Sequence, residues 1–295
     1  MENRRRLVIS LLATTFLYAF HDATLKYLTG FFAVPLLVWA RYIVQLALML
    51  LVVAPSMGRE IIATKRPGLM IFRALMQVCN AVLVQYALKH MPLAETTALL
   101  FMTPLLVALL AGSILGEKLR FHNWLATIAG FAGVLLIARP GGNIVGIGVV
   151  YALAATLCSA LYQLFTRKLA ASEPPMRQLF YATLAGVITM SFAVPEYWPA
   201  EMPALTHAGL LVSAAVSVAI GHFLFIHTSR ETPAATLSTL LYIKLIWAVM
   251  LGFAIFGQLP DVLSVAGMLI IGASGLSLVL QKAPPVKENL PSALT

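Results

Sequence analysis

The chain has 295 residues, of which 60% are hydrophobic and 11% are charged, and it carries a formal net charge of +9. A water-soluble domain needs far more charge on its surface, so this composition excludes one and indicates a polytopic membrane protein. The basic residues fall between apolar runs rather than in one patch, which argues against a nucleic-acid partner and fits the distribution that orients helices in a bilayer.

Ten apolar runs are long enough to cross the hydrocarbon core, which takes about 20 residues of helix. They cover residues 7–28, 32–54, 69–89, 93–115, 122–138, 146–167, 177–194, 207–229, 234–256 and 260–280. The connections between them are short and leave no room for a soluble domain. Residues 283–295 are polar and contain proline, so we expect a disordered tail.

The second half of the chain repeats the first. The stretch PLAETTALLFMTPL begins at Pro92, and PAATLSTLLYIKL begins at Pro233, which is 233 − 92 = 141 residues later. The first run is matched by the sixth at the same spacing, so we expect it to remain as a helix rather than be cleaved as a signal peptide. Each repeat holds five spans, and because five is odd the second repeat must lie inverted. The prediction is an all-α integral membrane protein of ten transmembrane helices, with repeats at 1–141 and 142–282.

Lysine and arginine predict the orientation. With the N-terminus in the cytoplasm, the inner segments carry Arg4, Arg5, Arg6, Arg59, Lys65, Arg66, Lys118, Arg120, Arg167, Lys168, Arg177, Arg230, Lys282 and Lys287. The outer segments and helix ends carry only Lys26, Lys89 and Arg139. This bias predicts a multi-pass protein of the cell inner membrane with both termini in the cytoplasm.

Lys244 lies at the middle of the ninth predicted span, where a charge costs a few kcal/mol and usually faces a cavity or a partner. Its counterpart in the first repeat is Thr103 (244 − 141 = 103), and the next residue, Pro104, frees a backbone carbonyl. Lys244 is therefore a candidate for substrate binding or gating, with pairing to an internal acid or extension along its own helix as the alternative. Trp247, one turn away, either stacks on a ligand or packs.

His21, Asp22 and Lys26 lie in one half of the first span. Asp22 and Lys26 are four residues apart, close enough on a helix for an ion pair. The functional alternative makes Asp22 a proton carrier or the countercharge of Lys244. His222, in the eighth span, is either a satisfied core group or a proton or substrate site.

Polar residues on the third and sixth spans predict cavity walls. Arg73, Gln77 and Asn80 form one stripe on the third span. Arg73 is near a helix end, where extension to the interface is the simplest interpretation. Gln77 and Asn80 line a cavity or join helices. Tyr162 and Gln163 occupy the repeat positions of the polar pair on the first span and suit a cavity wall.

Two further features have structural interpretations. Arg41 and Gln45 are four residues apart on the second span, and Arg41, near its outer end, is expected to extend to the interface. Two glycine pairs predict close helix packing, namely Gly130 with Gly133 and Gly272 with Gly275.

Several motifs resemble the EamA domain of the drug/metabolite transporter superfamily. In the first repeat they are P-L-A-E-T-T-A, M-T-P-L, L-G-E-K-L and A-G-F-A-G-V-L-L-I-A-R-P, and in the second Y-I-K-L-I-W-A, F-G-Q-L-P-D and I-I-G-A-S-G-L. The resemblance covers nearly the whole chain and implies ten helices in two inverted repeats around a central cavity lined mainly by helices 1, 3, 4, 6, 8 and 9. One departure is Gln258, where the family usually keeps an acid; Glu117 is its counterpart in the first repeat.

The resemblance implies a secondary transporter, with no cofactor and no resident metal. The substrate expected from the family and Lys244 is a small polar metabolite with a carboxylate, an amino acid or an amino-acid-derived compound such as a metallophore, moved outward. The alternative is import of riboflavin or a similar aromatic metabolite. Protons are the candidate coupling ion, and a homodimer is left open. The motifs of intramembrane hydrolases and ATP-binding loops are missing from the sequence, and a non-transport membrane protein is a distant alternative.

Overall fold

The structure is a computed structural model, and it describes residues 2–52, 55, 58–115, 121–138, 146–199, 204–229 and 242–279. Helices dominate these ranges: α1 (Glu2–Leu28), α2 (Val34–Val52), α3 (Pro67–His90), α4 in two segments (Leu93–Leu100 and Thr103–Leu115), α5 (Phe121–Ala138), α6 (Gly146–Leu169), α7 (Pro175–Ala193), α8 (Leu205–Ser229), α9 (Ile243–Phe256) and α10 (Val262–Val279). The predicted disordered tail, the turn with Glu117 and residues 234–241 of the ninth predicted span lie outside the described residues.

The ten predicted spans correspond to these ten helices, and the predicted all-α fold is confirmed. Six of the helices are long and apolar enough to cross a membrane, and α5, α9 and α10 are shorter apolar helices. The main difference from the prediction lies in α4, which is interrupted at Phe101 and Met102 just before Pro104. Proline lacks the backbone N–H of a regular helix, which accounts for an interruption at this point.

The directions of three helices show that the repeats are inverted. Lys26, near the end of α1, donates to the backbone of Leu88 at the end of α3, so α1 and α3 run the same way. Arg73, near the start of α3, donates to Thr166 near the end of α6, so α3 and α6 run in opposite directions. The first helices of the two repeats, α1 and α6, are therefore antiparallel. We call the side where α1 begins the near face and the side where it ends the far face.

Helices α2 and α7 pack as symmetric partners across the two repeats. Gln45 Nε2 donates to Thr183 Oγ1 at 3.0 Å, and the ring of Tyr42 covers Gly186 so closely that a Cβ there would overlap it. The repeat counterpart of Tyr42 is Thr183 (42 + 141 = 183), and that of Gln45 is Gly186 (45 + 141 = 186). Exchanging the two repeats therefore turns the contact of Gln45 with Thr183 into the contact of Gly186 with Tyr42. This exchange is what a two-fold axis between inverted repeats requires.

Helices α5 and α10 pack closely where Gly133 of one helix faces Gly267 of the other. A Cβ on Gly133 would lie 2.8 Å from the carbonyl oxygen of Gly267, and a Cβ on Gly267 would lie 2.6 Å from that of Gly133. Gly275 is covered by the hydroxyl of Tyr242, whereas a Cβ on Gly272 would meet no atom of the described residues within 4 Å. The close packing predicted for the pair is thus confirmed for Gly275 and is not seen for Gly272 among the described residues.

The break in α4 and the start of the described part of α9 meet at the axis. Phe101, at the break in α4, and Tyr242, which directly precedes the described part of α9, have ring centroids 4.7 Å apart and stack at 29°. These two residues are repeat counterparts, because 101 + 141 = 242. A contact between counterparts marks the pseudo-two-fold axis, and it places the start of both following segments, Thr103 and Lys244, beside that axis.

The connection between α2 and α3 is held to the second repeat at the near face. The carboxylate of Glu173 accepts hydrogen bonds from Thr64 Oγ1, from the backbone N–H of Lys65 and from Arg177 Nη1, at 2.7, 2.9 and 2.7 Å. Burial raises the pKa of Glu173, but these hydrogen bonds outweigh it and hold the pKa below its ordinary value. The carboxylate is therefore charged at neutral pH and fastens the two repeats together at this face.

Candidate functional site

An ion pair between the two repeats forms the centre of the candidate site. Lys244 Nζ on α9 lies 2.7 Å from Asp22 Oδ2 on α1, and the two side chains are 20% and 11% exposed. Of the pairings considered for Asp22, the structure shows the one with Lys244, which lies 222 residues away in sequence (244 − 22 = 222). The pair joins the first helix of one repeat to the described part of α9 in the other.

Lys26 has different partners from those that its spacing to Asp22 predicts. Its ammonium donates to the backbone carbonyl oxygens of Leu88 and Met91, where α3 ends, and it lies 5.4 Å from the ring centroid of Phe256. A cation at the carboxyl end of a helix neutralises the partial negative charge of the free carbonyls there. The predicted ion pair between Asp22 and Lys26 is therefore wrong, and Lys26 instead joins α1 to α3 at the far face.

The two histidines each use one ring nitrogen on the backbone. His21 Nδ1 lies 2.9 Å from the carbonyl oxygen of Ala214, and His222 Nδ1 lies 2.9 Å from that of Val218. Because a carbonyl oxygen only accepts, Nδ1 carries the proton in both rings. The ring of Tyr18 also lies 5.4 Å from that of His222. In the neutral form each histidine keeps Nε2 as an acceptor for a further group.

An aromatic surface lies next to Lys244. Trp247 meets Phe16 edge-on with centroids 5.3 Å apart, one turn beyond Lys244. Trp247 Nε1 and Tyr242 Oη are buried, and neither has a hydrogen-bond partner among the described residues. This surface can therefore stack on a ring and can still donate two hydrogen bonds to a ligand.

Thr103, the repeat counterpart of Lys244, is buried, and its hydroxyl donates to the carbonyl oxygen of Leu100 at 2.7 Å. This bond spans the break in α4 and satisfies one of the carbonyls that the break leaves free. In this conformation the hydroxyl of Thr103 is bound within its own helix. Of the two repeat counterparts, Lys244 alone places a charge at the centre of the candidate site.

Arg73 joins helices in the interior instead of extending to the interface, so that prediction is wrong. Its side chain is buried and donates from Nε to Thr166 Oγ1 and from Nη1 to the carbonyl oxygen of Gln178, both at 2.7 Å. Its guanidinium carbon lies 4.5 Å from the ring centroid of Tyr162, a cation–π distance. Arg73 thus holds Tyr162 in position and ties α3 to α6 and α7.

The predicted wall amides remain accessible. Gln77 and Asn80 are partly buried on α3, on the side opposite the exposed Leu75. Gln163 on α6 is exposed, and its nearest polar contact is Ser159 Oγ at 3.5 Å. At about 100° per residue, Gln163 lies roughly 140° around α6 from Val150, which marks the lipid-facing side with an exposure of 58%. These positions fit walls that face away from lipid.

The sequence analysis did not predict three interior residues as part of the site, namely Arg41, Tyr42 and Tyr18. Arg41 on α2 is 6% exposed, with its guanidinium 4.2 Å from the ring centroid of Tyr42, so the predicted extension to the interface is wrong. Leu37, one turn before Arg41, packs with Leu25 of α1 and with Ala214 of α8, whose carbonyl oxygen accepts from His21. Tyr18 also belongs to this group through its ring contact with His222. Counting residues along a helix gives the depth of a residue in the membrane but not the direction of its side chain. The count therefore misses an arginine near a helix end whose side chain turns inward.

The arrangement suits binding better than bond cleavage. It offers the ion pair of Asp22 and Lys244, two histidines and several aromatic rings inside a helical bundle. Among the residues that the structure describes, no three His, Cys, Asp or Glu side chains lie together as a metal site requires. The carboxylate of Asp22 and the ammonium of Lys244 can each release the other and bind the oppositely charged group of a ligand instead. Such an exchange allows the site to recognise a ligand that carries both charges.

A solved crystal structure has the same fold. It matches with a TM-score of 0.62 over 92% of this chain and 96% of that chain, at 18% identity. Curated relatives include an S-adenosylmethionine uptake transporter of Rickettsia bellii, 23% identical over 79% of each chain. A riboflavin transporter of Vibrio cholerae is 27% identical over 79% of this chain and 78% of its own. A pseudopaline exporter of Pseudomonas aeruginosa is 26% identical over 74% and 77%.

The model of the EamA-like transporter family matches the chain twice, at residues 5–139 and 146–280. The two matches begin 146 − 5 = 141 residues apart, the spacing found in the sequence and in the symmetric contacts. Together they cover nearly the whole bundle, and the curated relatives above are all named as transporters or exporters. The chain belongs to the EamA-like transporter family.

Proposed function

We propose that this chain is a secondary transporter that moves an amino-acid-type metabolite, bearing both an ammonium and a carboxylate, by alternating access. The observation that carries the proposal is the ion pair between Asp22 and Lys244. It lies between the repeats, where inverted-repeat transporters place their substrates. Lys244 is two residues from Tyr242, whose ring stacks on Phe101 at the break in α4.

The ion pair suits a zwitterionic ligand for an electrostatic reason. The substrate carboxylate replaces Asp22 on Lys244, and the substrate ammonium replaces Lys244 on Asp22. Both protein charges therefore remain compensated, and no charge is left alone inside the bundle. A ligand with only one of the two groups leaves one protein charge unpaired, which costs about 3–5 kcal/mol for a buried pair. The site thus rejects ligands that lack either charge.

The aromatic surface supports a second candidate, import of riboflavin or a related ring compound. Trp247 and Tyr242 offer buried donors beside stacked rings, and a relative from Vibrio cholerae is named a riboflavin transporter. The charged pair favours the zwitterion over this alternative, because a flat neutral ring leaves the pair unused. Relatives are named for uptake and for export, and we propose export by this chain, driven by a coupled proton gradient.

The test is exchange across vesicles of purified protein reconstituted in lipid. Vesicles loaded with methionine are expected to take up labelled methionine, and methionine added outside should compete. Methionine methyl ester and N-acetylmethionine, which each lack one charge, should compete at least ten times more weakly. Uptake of labelled riboflavin without any exchange of amino acids would instead support the ring-compound transporter. The assay is then repeated with a proton gradient directed into or out of the vesicles. A change in the uptake rate shows whether transport is coupled to protons, and its sign shows the favoured direction.

We also propose that the near face is cytoplasmic and that the membrane is the cell inner membrane. The described near-face segments carry Lys65, Arg66, Arg167, Lys168 and Arg177. The positive-inside rule places such segments in the cytoplasm. Alkaline phosphatase fused after Lys287 or before Arg4 should be inactive, and green fluorescent protein at the same points should be fluorescent. A phosphatase signal at either terminus would contradict the proposed orientation.

A further inference from the structure

We propose that Arg41 and Tyr42 form a second anion-binding subsite, which takes a carboxylate or phosphate group of the transported molecule. The inference deepens the proposed function, since it adds one acidic group to the zwitterion that Asp22 and Lys244 bind. The preferred substrate is then an amino acid with a second acid, carrying a net charge of −1, and a simple zwitterion such as methionine occupies the ion pair alone and binds more weakly.

The evidence begins with the guanidinium of Arg41. Its side chain is 94% buried, and its Nη2 has no hydrogen-bond partner in the described part of the chain. None of the described acids lies within ion-pair distance of it. A buried cation without an anion is costly, so such a group is maintained where an anion joins it during function.

Three other cations inside the bundle differ from Arg41 in this respect. Lys244 is paired with Asp22. Arg73 donates two hydrogen bonds at 2.7 Å, and Lys26 donates to two backbone carbonyls. Each of these three cations is therefore compensated by the protein itself. Arg41 differs from them because it has no ion pair and no hydrogen bond to another helix within the described bundle, and the ring of its neighbour Tyr42 lies against its guanidinium.

A second donor lies directly beside Arg41. Tyr42 Oη is also buried and has no partner among the described residues, and the tyrosine ring lies 4.2 Å from the guanidinium carbon. The ring is fixed against Gly186 and packs with Val34 and Val38. Two neighbouring donors on rigid side chains select an acceptor with several oxygens, as carboxylate and phosphate groups have.

The subsite lies close to the ion pair. Leu25 of α1 and Leu37 of α2 pack in one cluster with Ala214 of α8. His21, the residue before Asp22, and Arg41 each lie one helical turn from this cluster towards the near face. One ligand can therefore hold its ammonium and first carboxylate at the pair and its second acid at Arg41. Asp22, Lys244 and Arg41 together carry a net charge of +1, which a ligand of charge −1 neutralises. This balance disfavours S-adenosylmethionine itself, because its sulfonium adds a positive charge.

The test measures anion binding by thermal unfolding of the purified protein in lipid nanodiscs. Sodium acetate, sodium phosphate and sodium chloride are compared with sodium fluoride, whose strongly hydrated anion has no carboxylate or phosphate group, at equal ionic strength. Acetate or phosphate at about ten times its Kd should raise the Tm of the native protein by roughly 3 °C. Arg41→Met should abolish this rise, and Tyr42→Phe should reduce it. Arg73→Met is the matched control, since it removes a buried arginine whose hydrogen bonds are already made, and it should keep the rise.

Three outcomes would overturn the subsite. The first is a native protein whose Tm is the same in all four salts, and the second is an Arg41→Met variant that keeps the rise. The third is a rise with chloride alone, which would assign the place to a halide instead of a substrate acid. Should Arg73→Met fail to fold, Arg41→Lys replaces it as the control and should retain part of the rise. Unfolding requires no transport, so this result and the vesicle exchange fail or succeed separately.

Discussion

Replacing Asp22 with asparagine is expected to cause the largest loss of folded protein of any single substitution at the candidate site. The neutral amide of asparagine cannot balance the charge of Lys244, whose ammonium would stay inside the bundle without the carboxylate that lies 2.7 Å from it. Removing one member of a buried ion pair costs about 3–5 kcal/mol, because the remaining charge is uncompensated. A loss of that size is a large part of the stability of a typical domain, so transport should be lost as well.

A second substitution shows whether the pair is the cause. Asp22→Asn/Lys244→Met removes both charges and should recover the Tm and the membrane level of the native protein, while transport stays absent. The matched control is Asp22→Asn/Lys26→Met, which removes a cation of the same helix that donates to backbone carbonyls. This control should be no more stable than Asp22→Asn alone. Recovery with Lys26→Met, and none with Lys244→Met, would contradict the pairing seen in the structure.

The repeats could be predicted from the sequence because they rest on periodic patterns. Apolar runs of fixed length give the helices, and the spacing of 141 residues gives the inverted pairing that the contacts of Tyr42 and Gln45 show. The break in α4 follows from Pro104, whose missing N–H is a local property of the chain. Each of these features depends on neighbouring residues or on a simple count.

The contacts of the site could not be predicted in the same way. The spacing of Asp22 and Lys26 satisfies the helical rule for ion pairs, yet each residue has a partner on another helix. A local rule names residues within reach, but tertiary packing decides between them. Arg41 is the clearer case, because counting residues places it near a helix end whereas packing turns it inward. In the sequence, the adjacent Tyr42 was the one feature that indicated a buried guanidinium at Arg41, because an aromatic ring can pack against a guanidinium.

The fold is symmetric, whereas the chemistry on it is not. Lys244 answers Thr103 in the other repeat, and Arg41 answers the buried Ala182 (41 + 141 = 182). In the proposed transport cycle, symmetric packing gives the bundle two conformations of similar free energy, related by exchange of the repeats. The proposed ligand takes one defined orientation in both conformations, because the charges that bind it have no counterparts in the other repeat. Under this proposal the repeats provide the movement and the unmatched charges provide the selectivity.

The second large effect is expected at Lys244, where the question is whether the ammonium binds substrate or only holds helices. In vesicles with equal amounts of protein, transport should fall in the order Lys, Arg, Met. Lys244→Met removes a charge-assisted hydrogen bond worth about 1.5–3 kcal/mol, which is roughly a ten- to hundred-fold loss of apparent affinity. Lys244→Arg keeps the charge, but its planar guanidinium is larger and directs its donors differently, so its loss should be smaller.

A charge exchange separates the two roles of Lys244. The variant Asp22→Lys/Lys244→Asp keeps an ion pair between α1 and α9, so its Tm should stay close to that of the native protein. If the pair only joins helices, transport should recover fully. If the pair binds a zwitterion, the ammonium and the carboxylate of a substrate held in its native orientation each meet a like charge. Transport should then remain at least ten-fold reduced although the protein is folded. Full transport by this variant would remove Lys244 from substrate binding and leave it as a link between the repeats.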